Sequence, residues 1–175
     1  MSAGSRSRRA WGWHPLTEDW AGRIVAAARV RPGELVIDIG AGEGALTGPL
    51  VAAGARVLAV EPHPRRAAIL RGRFVDAEVT VIEGEAASLR LPRRPFRVVA
   101  SPPYSISSPL LRMLLASGSG LAAADLVLQR AVVRRHTAQG GGRRFALRSG
   151  LAVPRRAFEP PPRVDSAVLV VRRRT

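Results

Sequence analysis

The turn Gly40-Ala41-Gly42-Glu43-Gly44, set directly behind the short apolar run at 34–39, narrows the possible folds more than any other stretch of this chain. Glycine reaches backbone conformations that a Cβ forbids, so such a turn can bend a strand sharply into whatever follows. The next segment, 45–53, has helical character and stops at Gly54. Strand, glycine-rich turn and helix make the first unit of an open α/β sheet. Ligands of such sheets bind at the carboxyl ends of the strands, where this loop falls. Taken alone, the turn is also compatible with a plain connection.

The rest of the chain continues the alternation. Residues 20–29 carry apolar side chains at helical spacing until Pro32-Gly33 breaks the pattern. Residues 56–60 predict a second strand and 64–73 a basic helix. Further strands are expected at 79–82, 97–100 and 126–128, with a helix over 108–115. This order predicts a doubly wound, mainly parallel sheet. The end differs: strand-like runs at 147–153 and 166–171 are joined by a loop too short for a crossover helix. That predicts an antiparallel pair closing one edge, so that the last strand runs antiparallel.

Charge points to a class of partner. Against 13 acidic residues stand 28 basic ones, all arginine, for a formal net charge of +15. So basic a small domain attracts polyanions, nucleic acid first, with a solvated basic face as the alternative. Residues 1–10 read as a basic flexible arm ahead of a single domain over 11–175. Arg6, Arg8, Arg9, Arg134, Arg135, Arg143 and Arg144 are the candidate phosphate contacts, the last two beside a surface loop at Gly140-Gly141-Gly142. The absence of cysteine excludes a disulfide framework and cysteine-based zinc or redox sites. Three scattered histidines (His14, His63, His136) predict no metal. No apolar run approaches bilayer length and no secretion signal is evident, so a monomeric cytoplasmic protein with no membrane partner is expected.

Two acids and one motif sharpen the loop's meaning. The G-x-G-x-G spacing of Gly40 and Gly42 is a residue shorter than the dinucleotide G-x-G-x-x-G pattern. Glu61 ends the second strand, 21 residues after Gly40, where a carboxylate can accept bonds from both hydroxyls of a ribose. Glu85, behind the third strand, can accept from the amino group of an adenine. Their alternatives are a strand-end charge and a solvated loop acid. After the fourth strand comes Ser101-Pro102-Pro103-Tyr104, with the only tyrosine in the chain. An exocyclic amino nitrogen is a poor nucleophile because its lone pair is delocalised into the ring. Acceptors near both N–H bonds, here the Ser101 side chain and the Pro102 carbonyl, can rehybridise that nitrogen and aim it at an electrophile. Prolines stiffen the loop, and Tyr104 offers a face on which a flipped base can stack. A proline-rich turn with a core tyrosine is the plainer alternative.

The Ser-Pro-Pro-Tyr segment is similar to the signature of methyltransferases that act on exocyclic amino groups. With the glycine loop it makes the chain resemble the adenine-N6 methyltransferases of ribosomal RNA, which include the small-subunit dimethyladenosine transferases and the Erm-type macrolide-resistance enzymes. The likeness runs collinearly from Trp11 to Arg174 and looks closest to the short mycobacterial and actinobacterial Erm type. Gly12-Trp13-His14-Pro15-Leu16-Thr17 falls where the family carries Gln-Asn-Phe-Leu over its cofactor, which makes His14 and Leu16 cofactor contacts by resemblance. Leu128-Gln129-Arg130-Ala131-Val132-Val133 resembles a second family segment. Phe158-x-Pro160-x-Pro162-x-Val164-x-Ser166 resembles a third, whose Phe158 would be a second aromatic wall around the adenine.

The resemblance implies a class I, Rossmann-like methyltransferase without the family's helical C-terminal domain. Its cofactor would be S-adenosyl-L-methionine, held by His14, Leu16, Gly40, Gly42, Glu61, Glu85 and Ser101, with Ser101, Pro102, Tyr104 and Phe158 at the reacting base. Its partner would be 23S ribosomal RNA, with macrolide-lincosamide-streptogramin-type resistance as the outcome. Three residues depart from the family pattern: His14 and Ser101 stand where it has Asn, and Glu85 where it has Asp. Serine in the Ser101 position is typical of cytosine-N4 methyltransferases, which keeps that activity as an alternative. A non-catalytic RNA-binding or ribosome-assembly module is the other.

Overall fold

A computed structural model describes residues 13–175. Seven strands, β1 (Leu35–Ile39), β2 (Arg56–Glu61), β3 (Val79–Glu83), β4 (Phe96–Ala100), β5 (Leu121–Gln129), β6 (Phe145–Val153) and β7 (Ser166–Arg173), form one sheet in the order β3-β2-β1-β4-β5-β7-β6. The pairings from β3 through β5 are all parallel. Only β7 runs opposite to the other six strands, because it pairs antiparallel with both β5 and β6. The mainly parallel sheet with an antiparallel last strand is thus the observed architecture.

Five helices among the described residues cover the sheet. Those on one face are α1 (Glu18–Ala28), α2 (Thr47–Ala52) and α3 (Pro64–Arg73), through Ile24, Leu50 and Leu70. On the other lie α4 (Ser107–Leu115) and α5 (Arg130–Gln139), through Leu110, Leu114 and Val133. Strand alternation sorts the side chains between the two layers: Val36 faces the first, Ile37 and Ile39 the second. Each Leu- or Phe-sized side chain buried this way contributes ~1.5–3 kcal/mol. Helix α1 starts at an N-cap Thr17, whose hydroxyl accepts from the Trp20 N–H, and Glu18 and Asp19 favour its positive end.

Three elements depart from expectation. The strand expected at 126–128 covers nine residues, Leu121–Gln129. Its first half, Leu-Ala-Ala-Ala, lacks the β-branched residues that mark strands, but a central strand covered on both faces has room only for small side chains there. Helix α5 was not expected either. Val133 is its only fully buried residue, so no apolar stripe announces it. The helix expected at 45–53 shortens to Thr47–Ala52 because the turn holds the residues before it.

Candidate active site

The glycine turn is hooked onto the neighbouring strand. The Gly40 and Ala41 N–H groups donate to the Val60 carbonyl at the end of β2, at 2.8 and 3.0 Å. Gly40 has φ +74°, and a Cβ there would lie 3.1 Å from Pro103 Cδ and 3.4 Å from Pro102 Cα. Glycine is therefore required by conformation and by space, because the turn touches the loop that follows β4. At Gly42, with φ +60°, a Cβ would meet the Trp13 indole nitrogen at 2.8 Å. Trp13 lies on the turn and carries the Arg66 guanidinium 3.9 Å from a ring centroid on its other contact.

Two acids stand behind this turn. Glu61, 2 % exposed, accepts from the Gly42 N–H (2.9 Å) and, with its second oxygen, from the His63 N–H (3.0 Å). A carboxylate has about four acceptor positions, so each oxygen keeps one for a ligand hydroxyl. Asp38, at the same end of β1, is 1 % exposed and accepts from the Thr47 hydroxyl at 2.8 Å. Burial pushes its pKa up to about 7; the Thr47 bond opposes this and the Glu61 charge adds to it.

The loop after β4 supplies the other wall. The Pro103 carbonyl accepts from the Ile106 N–H, whereas the Pro102 carbonyl takes no hydrogen bond among the described residues. The Ser101 hydroxyl makes none either. Tyr104 is half-buried, its hydroxyl shares a 2.6 Å hydrogen bond with Ser166 Oγ, and His14 stacks beside it with centroids 6.3 Å apart. Burial pushes the tyrosine pKa up, against the Ser166 bond.

Around these groups lies a cleft of two lobes, about 730 and 530 Å³, which share Trp13, His14, Gly40 and Ser101. Asp38 and Leu16 line the larger lobe; Glu61, Glu85, Pro102, Tyr104 and Phe158 line the smaller. Each lobe falls in the range of small-molecule sites. The donor set suits a nucleoside-bearing cation: carboxylates at two strand ends, an exposed Glu85 on the rim, and apolar walls between. No group of three or more His, Cys, Asp or Glu among the described residues could hold a metal.

A strap joins the amino-terminal segment to the late loop. Leu16 and Phe158 form an antiparallel bridge. The Thr17 N–H donates to Ala157 O (2.8 Å), the Glu159 N–H donates to Pro15 O (3.0 Å), and His14 Nδ1 lies 2.8 Å from Pro160 O. Phe158 reaches the smaller lobe yet is 2 % exposed and belongs to the core.

The structure brings His14, Leu16, Gly40, Gly42, Glu61, Glu85, Ser101, Pro102, Tyr104 and Phe158 to this one cleft or its walls. It does not bring the arginines together. Arg134 and Arg135 are exposed on α5, which starts at the cleft end of the sheet. Arg143 and Arg144 lie at the opposite end, where β6 begins, and Arg144 donates to Ala116 O and Leu115 O at the end of α4. Arg6, Arg8 and Arg9 lie outside the described residues, as does the whole basic arm. Trp13, Asp38, Arg66 and Ser166 are site residues that sequence reasoning did not single out. Asp38 could have been found as an acid at the strand end before the glycines; Trp13 and Ser166 stand inside the two family-like segments, and nothing local marks Arg66.

A parallel sheet whose first turn carries glycines, with acids at successive strand ends and a Pro-Pro-Tyr loop across from them, defines a class I S-adenosyl-L-methionine-dependent methyltransferase. The sequence matches the family described as ribosomal RNA adenine dimethylase over residues 7–175, and the chain belongs to that family. S-adenosyl-L-methionine is the family's cofactor. The chain is 37% identical to a ribosomal RNA small subunit methyltransferase A of Thermosynechococcus vestitus, covering 95% of this chain and 70% of the relative. With that of Leptothrix cholodnii it shares 36%, covering 93% and 66%. The chain thus spans about two thirds of the length of the curated relatives it matches. Among solved structures it is similar to the 23S rRNA methyltransferase ErmE, with TM-score 0.82, 30% identity, and coverage of 92% and 70%. A dimethyladenosine transferase from Plasmodium falciparum aligns with TM-score 0.80 and 25% identity, covering 92% and 64%. No helix among the described residues is long and apolar enough to cross a membrane.

Proposed function

We propose that this chain methylates the exocyclic N6 of an adenine in 23S ribosomal RNA, with macrolide-lincosamide-streptogramin-type resistance as the consequence. The observation that carries the reading is the loop Ser101-Pro102-Pro103-Tyr104, which abuts the glycine turn and presents two acceptors without hydrogen-bond partners among the described residues. In this reading Glu61 accepts from the ribose hydroxyls of the cofactor and Glu85 from its adenine amino group. His14, Leu16 and the Gly40–Gly42 backbone wall the same molecule, and the Asp38 carboxylate faces its positive end. When bound, S-adenosyl-L-methionine supplies an electrophilic methyl group.

The protein's own part is to present the nitrogen. The Pro102 carbonyl accepts one N–H of the target amino group and Ser101 Oγ the other, which localises the lone pair. Tyr104 stacks on the base and holds it in register. Phe158 backs the site from the core side, and Arg134 and Arg135 contact phosphates without reading sequence.

The likeness to a 23S rRNA methyltransferase supports the large-subunit assignment. The curated relatives bear small-subunit names, which favours 16S RNA as the second reading. Ser101 favours cytosine N4 as the third. Incubation with labelled cofactor and protein-free 23S rRNA, 16S rRNA or DNA, followed by mass spectrometry of the nucleosides, tests all three. N6-methylated adenosine from 23S rRNA is the expected product. Label confined to 16S adenosine or to cytidine would replace the assignment.

A further inference from the structure

The end of the sheet away from the cleft carries a second concave site of opposite character. Register places Arg97 of β4 beside Ala123 of β5, and Ala123 beside Arg172 of β7; Arg148 of β6 pairs with Val170, two residues from Arg172. With Arg29 and Arg31, which follow α1, these residues line an open cavity of about 820 Å³. Five guanidiniums therefore face one space, against the carboxylates of Glu34 on its wall and Asp125 beneath it.

Those carboxylates are already engaged. Asp125 accepts from Arg172 at 3.0 and 3.1 Å and from Arg97 at 3.5 Å, and Glu34 accepts from Arg97 at 3.3 Å and from the Arg31 N–H at 2.7 Å. Arg97 also donates to Ala28 O and Arg29 O at the end of α1, while its Nε–H is buried without an acceptor among the described residues. The guanidiniums of Arg29, Arg31 and Arg148 are exposed and have neither a hydrogen bond nor an ion pair among the described residues. The backbone adds an independent sign. Arg29, with φ 52°, is the only non-glycine residue at positive φ among the described residues. It closes α1 in a conformation that glycine takes without penalty, yet an arginine stands there and puts its charge on the cavity wall.

We propose that this cavity is a phosphate site, and that its ligand is a backbone phosphate of the RNA substrate at some distance from the target base. The inference rests on the ribosomal RNA reading above. Three unpaired guanidiniums on an open rim match a phosphodiester, which arginine binds through paired N–H donors. An open rim admits a polymer passing over it. Arg97 and Arg172, held by Asp125 and Glu34, form the floor that fixes the geometry.

The test compares the parent protein with an Arg31→Ala/Arg148→Ala double variant, an Arg31→Lys/Arg148→Lys variant and Arg29→Gly. Binding to a 23S rRNA fragment is followed by anisotropy across salt concentrations, S-adenosylhomocysteine by calorimetry, and inorganic pyrophosphate by calorimetry. The alanine pair is expected to lower the salt slope by about 0.7, the value of one phosphate contact. If the two proteins agree at 1 M salt, that is about fivefold weaker binding at 0.1 M. Cofactor affinity stays unchanged, and the lysine pair retains the slope. Arg29→Gly is expected to fold at least as stably while binding RNA more weakly, which separates loss of charge from loss of structure.

Unchanged slope and affinity in the alanine pair and in Arg29→Gly, beside a parent that binds RNA steeply, would overturn the proposal and leave the substrate reading intact. Pyrophosphate binding that the alanine pair abolishes, with RNA binding untouched, would assign the cavity to a small anion and overturn the RNA source. A parent without RNA affinity would sink the substrate reading, and with it the RNA source. The pyrophosphate arm then still decides whether the cavity holds phosphate at all.

Discussion

The two halves of the cleft are built by different means. On the β1–β2 side, Glu61 holds the Gly42 and His63 N–H groups, and Thr47 holds Asp38; the partners lie 19, 2 and 9 residues apart. On the β4–β7 side, Tyr104 meets Ser166 across 62 residues, and His14 meets Pro160 across 146. The first half is locked by near neighbours in the chain and so is preorganised as soon as its strands pair. The second exists only when four distant segments are packed together. In the proposed reading the cofactor's ribose rests on the first kind of site. A flipped base needs walls from several directions, which the second kind can provide.

Substitutions at the junction should break that distinction most severely. Phe158→Ala removes a core side chain from the residue whose backbone bridges to Leu16. A buried Phe→Ala change costs about 3–5 kcal/mol, a large part of a typical 5–15 kcal/mol stability. Its melting temperature should fall steeply, with both substrates lost together, whereas Phe158→Leu should keep the fold and most cofactor affinity. A Phe158→Ala protein of unchanged melting temperature would make Phe158 a wall only.

Ser101→Asn acts on the second half alone. An Asn carbonyl reaches about one bond further and accepts without orienting a proton. A net hydrogen bond is worth about 0.5–1.5 kcal/mol, and contacts in a closed site reach about 2.7–4. Single-turnover methylation of adenine should therefore rise by about ten- to a thousandfold at nearly constant cofactor affinity. Loss of activity on every RNA, with cofactor still bound, would overturn the adenine assignment in favour of cytosine.

Glu61→Ala should do the reverse. Loss of a charge-assisted acceptor contributes roughly 1.5–3 kcal/mol, or about ten- to hundredfold in affinity by calorimetry. It also frees the Gly42 and His63 N–H groups, so Glu61→Gln, which keeps one acceptor oxygen, should recover part of the loss. Affinity equal to the parent's would remove Glu61 from the site.

Tyr104→Ala should slow turnover by the value of a stacked base, about 1–3 kcal/mol, while Tyr104→Phe keeps the ring. The phenylalanine variant leaves buried Ser166 without its partner, so it should lose roughly 1 kcal/mol of stability and little activity. Equal damage in kinetic assays would assign the work to the hydroxyl.

A pH dependence at Asp38 tests the first half of the cleft by a different readout. With a folded pKa of about 7 against an ordinary 3.8, the folded state keeps a proton that the unfolded state has lost. Stability relative to Asp38→Asn should then fall as pH rises from about 4 to 7 and be level above. A cationic cofactor favours the ionised acid, so its affinity should rise through neutral pH in the parent and stay flat in Asp38→Asn. Parallel titration curves for the two proteins would exclude this carboxyl.

Alternation of short apolar runs and helical segments was enough to predict the sheet, because strand and helix periods are local properties of a chain. Glu61 and the glycine turn were legible for the same reason, lying within one β-α-β unit. Strand β5 was only partly legible, since its alanines make sense only between β4 and β7. Arg144 was grouped with the candidate phosphate contacts because its neighbours are basic; that two of its donors meet the Leu115 and Ala116 carbonyls, nearly thirty residues away, was not legible.

By itself, then, the sequence determined the fold class, the glycine turn at the strand ends and the Ser-Pro-Pro-Tyr motif proposed to face a base, each written within a few consecutive residues. Only the tertiary structure decided that the Trp13–Leu16 segment is strapped to the Phe158 loop, that Tyr104 leans on Ser166, and that five arginines from four separate segments meet at the far end of the sheet. Those contacts join residues far apart in the chain. Closing such loops costs entropy, which only the packed core as a whole offsets, so no short stretch of sequence records them.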